Sequence, residues 1–113
     1  MHDDQELVTN VRASLVGSGP IREVRMFGGI GFMLNGNLVT AASRRGLLLR
    51  VGKDHQAEAL TQSGARPMVM RGRKMEGYVY VEPPALNENA IQKWLRLAVA
   101  YVQTLPRKAH QKS

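Results

Sequence analysis

The stretch Gly31-Phe32-Met33-Leu34-Asn35-Gly36-Asn37-Leu38-Val39-Thr40-Ala41-Ala42 decides the fold. Asn35-Gly36 is the strongest hairpin signal in the chain. Both central positions of the tight turn need positive φ, which Asn tolerates and Gly adopts without steric cost. Gly31 to Leu34 runs into that turn and Leu38 to Ala42 returns from it. Upstream, Ile21 to Phe27 holds β-branched and aromatic residues and reads as a further strand, broken or bent at Gly28-Gly29. Downstream, Arg44-Arg45-Gly46 turns the chain again, and Leu47 to Val51 forms the next strand. Tight turns cannot join parallel neighbours, so this meander of three or four strands is antiparallel.

Helical signals flank the meander. Asp3 and Glu6 have capping-box spacing, and Leu7, Val8, Val11 and Leu15 recur at helical spacing before a stop at Gly17. After Gly52, Asp54 reads as the N-cap of a helix over about residues 55–63, with Ala57 and Leu60 inward and Gly64 at its end. Pro67 to Met70 is a short strand, Arg71-Gly72-Arg73-Lys74 a polar, flexible connection, and Tyr78-Val79-Tyr80-Val81 a clear strand ended by Pro83-Pro84. Asn87 caps the last helix, with Leu86 and Ile91 placed as a hydrophobic staple. Ile91, Trp94, Leu95, Ala98, Val99 and Val102 form its apolar stripe, and Pro106 terminates it. The expectation is therefore an α+β fold: an antiparallel sheet in the order α-β(3-4)-α-β(2)-α, with the helices packed on one face. Residues 1–106 form one domain, and 107–113 a basic, frayed tail.

At 113 residues the chain can bury one hydrophobic core unaided. With no cysteine, disulfides, thiolate nucleophiles and cysteine-ligated metal sites are excluded. That composition and the acidic start, Met1-His2-Asp3-Asp4, fit a cytoplasmic protein without a signal peptide. No apolar run approaches the length of a membrane helix, so no membrane association is expected.

Catalytic and cofactor motifs fail on context. Gly28-Gly29-Ile30-Gly31 invites a phosphate-loop reading, but a dinucleotide fingerprint needs a helix directly after its glycines, and a strand and a hairpin follow here. These glycines instead mark a bend or bulge where backbones approach closely. Gly46 to Lys53 imitates a Walker A loop, with one residue too many in the spacer and Asp54 where the magnesium-binding hydroxyl should stand. His2, His55 and His110 show no metal-ligand spacing. The acids are scattered, and most answer helix starts. No catalytic residue, cofactor or metal is therefore expected.

The net charge of +7 is unevenly spread. From Ala59 to Met75 there is no acidic residue, yet Arg66, Arg71, Arg73 and Lys74 all occur. Arg71, Arg73 and Lys74 are candidate contacts for an anionic partner, although no aromatic interleaves with them in sequence as a base-stacking platform requires. Arg66, between Ala65 and Pro67, is placed to pair with a carboxylate inside the fold. Met26, Met33, Met68, Met70 and Met75 either line a soft interaction groove or fill the core. Tyr78 and Tyr80 share one face of their strand, as sheet surface or interface.

The ordered string Met26-Phe27-Gly28-Gly29-x-Gly31-Phe32 resembles the opening signature of the TfoX N-terminal domain family, also called TfoX/Sxy. Leu49-Arg50-Val51-Gly52, Gly64-Ala65-Arg66-Pro67-Met68 and Gly72-Arg73-x-Met75-x-Gly77-Tyr78-Val79-Tyr80-Val81 follow in the family's order, and the Trp94 helix closes it. The resemblance implies a secretion-chaperone-like α+β fold. Its two-domain bacterial members regulate natural competence together with the cyclic-AMP receptor protein and carry a second, helical domain. This sequence ends where that domain would begin, so a stand-alone member is expected. The family brings no catalytic residues. The expected function is a non-enzymatic regulatory or protein-interaction module whose partner is another protein, either a transcription regulator or a second copy of itself. The alternative is direct nucleic-acid binding through residues 66–74 and the tail.

Overall fold

A computed structural model of the chain describes residues 5–26 and 28–107. Its elements are α1 (Gln5–Ser14), β1 (Ile21–Met26), β2 (Gly29–Leu34), β3 (Asn37–Ser43), β4 (Gly46–Arg50), α2 (Lys53–Ala59), β5 (Ala65–Met70), β6 (Arg73–Val81), a 3-10 turn (Pro83–Ala85) and α3 (Glu88–Gln103). All six strands join one antiparallel sheet in the order β1-β2-β3-β4-β6-β5. The meander therefore has four strands, and the β5–β6 hairpin docks β6 against β4.

The helices lie on one side of this sheet. Val8, Val11 and Leu15 from the α1 region and Ile91, Trp94, Leu95, Ala98 and Val102 from α3 join Phe32, Leu34, Val39, Leu47, Leu49, Val51, Val79 and Val81 in the main core. Burying this large apolar surface is the dominant force holding the layers together. The Asn87 side chain accepts a hydrogen bond from the Ala90 N–H at 2.8 Å, so the expected cap starts α3. At its far end the Asn37 side chain donates to the Pro106 carbonyl at 3.1 Å, tying the exit of the last helix to the β2–β3 hairpin.

Asn35 and Gly36 both have positive φ, 53° and 82°, as their hairpin requires. Gly28-Gly29 joins two antiparallel strands. A Cβ on Gly29 would overlap the Ala42 carbonyl of β3, which is the close backbone approach expected of it. Leu47 to Arg50 lie in β4, so no phosphate loop exists there.

Some boundaries differ from the expectation. Helix α2 begins at Lys53, with Gly52 as its N-cap residue and no side-chain cap. Asp54 sits in the first turn, where a negative charge favours the helix N-terminus without capping it. Leu60 packs against the core as expected, but Ala57 is exposed and Ala59, two residues on, is the buried alanine. Arg71-Gly72-Arg73-Lys74 is no flexible connection. Arg71 and Gly72 form a tight turn with φ of 53° and 77°, and Arg73 and Lys74 already belong to β6. The Asp3 cap, Phe27, His2, His110 and the tail beyond Arg107 lie outside the described residues.

Candidate functional site

Among the described residues no helix covers the other side of the sheet. Strand alternation directs Ala41 of β3, Leu48 of β4 and Tyr80 of β6 to that side, in register across three strands. There Ala41, Leu48 and Met68 are buried beneath half-buried Leu38, Met70, Met75, Tyr78 and Tyr80. Register shifts put these residues on one side. One lies between Pro67 and Val69 in β5, and another between Phe32 and Met33 where β2 meets β3. Such a bulge re-aims the side chains beyond it. The floor continues onto β2 and β1, where Met33 and Met26 are half-buried, and the Met26 thioether lies over Gly31. The methionines anticipated as either groove or core thus gather mainly on this open face.

Cations edge the apolar floor. Arg66 pairs across the strands with Tyr80, and Arg50 with Tyr78. The Arg50 guanidinium lies 5.7 Å from the Tyr78 ring centre and 5.9 Å from that of Tyr101 on α3. It holds the end of the sheet to the last helix by cation–π attraction. Arg50 and Arg66 thus lie beside aromatics from which they are separate in sequence, whereas Arg73 and Lys74 pair with Met70 and Val69. Arg66 does pair with a carboxylate, donating from Nη1 to Glu82 Oε2 at 2.6 Å, but both side chains are largely exposed. The pair is a surface tie and not an internal one. Arg71, Arg73 and Lys74 are exposed at the tip and on the first residues of β6. With Gly72 they project from one end of the open face.

Several family-motif residues converge at one structural knot. The Gly77 carbonyl accepts hydrogen bonds from the Val51 and Gly52 amides at 2.8 and 3.0 Å, and the Gly77 amide donates to Gln56 Oε1 at 2.9 Å. A Cβ on Gly52 would strike the Tyr101 ring at 2.6 Å, so glycine is required for the helix to close on the sheet. Arg50, Gly52, Gly77 and Tyr78 are thereby explained as architecture. Gly64 and Pro67 shape the entry to β5, and Trp94 fills the core at 8% exposure. Sequence reasoning missed Gln56 and Asn37. Both are polar residues whose partners lie far along the chain, with no local pattern to announce them.

Among the described residues no three His, Cys, Asp or Glu side chains gather as a metal site. The clefts are open to solvent. One of about 600 Å³ between α2 and α3 is lined by His55, Glu58, Lys93 and Trp94, and another of about 710 Å³ lies beside Gly28, Gly29 and Arg12. On the helix-covered side, Arg12 Nε donates to Glu23 Oε2 at 2.6 Å and Nη2 to Oε1 at 2.9 Å. This bidentate bond holds the Glu23 carboxyl below its ordinary range, against a smaller opposing effect of burial. No described helix is long and apolar enough to cross a membrane. Compared with known proteins, residues 4–102 match the family model of the TfoX N-terminal domain. No curated protein and no solved structure matches the chain.

Proposed function

This chain belongs to the TfoX N-terminal domain family, and from that premise we propose that it is a non-enzymatic, cytoplasmic regulatory module that works by docking a partner protein on its open sheet face. The observation that carries the reading is the uncovered floor of Leu38, Met70, Met75, Tyr78 and Tyr80, edged by Arg50, Arg66 and Arg73. Methionine gives adaptable apolar contact and tyrosine a large, rigid one, a composition suited to binding. The surrounding charge selects a partner segment that carries acidic side chains beside apolar ones. A competence-type regulatory role fits such a module, with a transcription regulator as the partner.

Affinity capture from the native cell tests this, with the wild type compared against a Met75→Asp/Tyr80→Asp variant. The proposal expects a protein recovered by the wild type and lost from the variant, while Gln92→Glu on the exposed side of α3 retains it. Equal recovery by all three would remove the open face from the account. The interleaving of Arg50 and Arg66 with Tyr78 and Tyr80 favours one second reading, single-stranded nucleic acid. Reversing Arg71, Arg73 and Lys74 to Glu separates the two. Nucleic-acid binding that weakens steeply with salt and vanishes on reversal would transfer the face to that class.

A further inference from the structure

The two edges of the sheet are not equivalent. Strand β5 is guarded, because Pro67 removes an amide donor and the register shift between Pro67 and Val69 interrupts the ladder. Strand β1 has neither defence. Its register against β2 is unbroken from Ile21↔Leu34 to Met26↔Gly29, leaving six regular residues with their outer backbone groups unpaired by the sheet. We propose that this edge pairs with β1 of a second copy of the chain, antiparallel about a two-fold axis through Val24, making a homodimer with one continuous sheet.

The register follows by elimination. A two-fold between antiparallel strands keeps like faces together, so residues that meet must lie on the same face. Ile21, Glu23 and Arg25 share the helix side with their partners Leu34, Phe32 and Ile30, while Arg22, Val24 and Met26 lie on the open side. A pairing is then centred on one residue, which meets its own copy; centred on Ile21 or Met26, at the strand ends, it joins no other residue of the two β1 strands. Centring on Arg22 or Arg25 sets two guanidinium groups against each other, and centring on Glu23 does the same with two carboxylates. Like charges directly opposite are destabilising. Centring on Val24 stacks two apolar side chains on the axis and places Arg22 beside Met26 of the second copy. It also sets Glu23 of each copy opposite Arg25 of the other, twice. Arg12 already holds the Glu23 carboxylate in place at 2.6 Å, so this acceptor is fixed before the second Arg25 arrives.

The dimer is independent of the docking proposal, which concerns the face and not the edge. Sedimentation of the full chain tests it. The wild type is expected to be a dimer that dissociates on dilution. Arg25→Glu faces Glu23 with a second carboxylate, and Glu23→Arg faces Arg25 with a second guanidinium. Each variant alone should dimerise at least tenfold more weakly. Mixed together they regain two opposite-charge pairs and should form a one-to-one heterodimer. Arg25 is exposed, and circular dichroism checks that both variants keep the fold. A monomeric wild type at high concentration, a dimer indifferent to Arg25→Glu, or separately weakened variants that fail to associate on mixing would each overturn the proposal.

Discussion

The two faces of this sheet carry apolar side chains of similar kind and do different work. On the helix side, Phe32, Leu47, Leu49, Val51, Val79 and Val81 are sealed beneath α1 and α3 and are essentially inaccessible. On the other side, Leu38, Met70, Met75, Tyr78 and Tyr80 have no layer of described residues above them and stay half-exposed. The residue types differ accordingly. Rigid β-branched and leucine side chains fill the sealed side, whereas flexible thioethers and phenols spread over the open one. The sealed side is the source of stability, and the open side holds apolar surface whose burial is left to a partner.

Substitutions on the two faces sharpen that division. Phe32→Ala empties a fully buried site and should cost about 3–5 kcal/mol in denaturant unfolding, enough to threaten the fold. Tyr80→Ala should cost only about 1 kcal/mol, because its ring is already half in water. Comparable losses at both positions would mean that the faces are not distinct. Two glycines of β2 offer a finer contrast. A Cβ on Gly29 meets fixed backbone at Ala42, so Gly29→Ala should cost about 2 kcal/mol. On Gly31 it meets the Met26 side chain, its sulfur at 2.5 Å, which can swing aside, so Gly31→Ala should cost less than Gly29→Ala.

Two of the tight hairpins make a parallel comparison. They share one turn geometry, but only one was legible. Asn35-Gly36 advertises positive φ at both positions. Arg71-Gly72 adopts the same conformation with an arginine at φ 53°, where L side chains other than Asn and Asp are strained. Arg71→Asn should therefore stabilise the chain by about 0.5 kcal/mol in thermal unfolding. A destabilisation would show that the Arg71 side chain holds the turn through contacts of its own.

The smallest expected effect is electrostatic and belongs to the sealed side. Glu23, held by Arg12, binds its proton more weakly in the fold than in the unfolded chain. The contribution of this pair is complete above the ordinary carboxylate range and disappears as pH falls through the lowered value. Stability measured from neutral pH downward should decline slightly less steeply in Arg12→Ala than in the wild type. The exposure of the pair keeps this difference small.

Element types and order were readable because their signals are local: hairpin dipeptides, helical spacing, the Asn87 cap. The α2 boundary was misplaced because Asp54 looks like a cap, while Gly52, fixed by its approach to Tyr101 and its bond to Gly77, is the N-cap residue and Lys53 begins the helix. The open face was only half legible. Tyr78 and Tyr80 could be assigned a shared side from strand period alone. Their neighbours Leu38, Ala41, Leu48 and Met68 arrive from three other strands, through register shifts that no sequence pattern announces. The interleaving of Arg50 and Arg66 with these rings is likewise a property of pairing across strands.

The most direct test of the division between faces is site-specific photo-crosslinking in the native cell, with a benzophenone side chain replacing Tyr80 on the open face or Gln92 on the outside of α3. A discrete covalent adduct to another protein from position 80 and none from position 92 is the predicted result. An adduct from position 92 alone, or no adduct from position 80 in cells where the chain is functional, would contradict it.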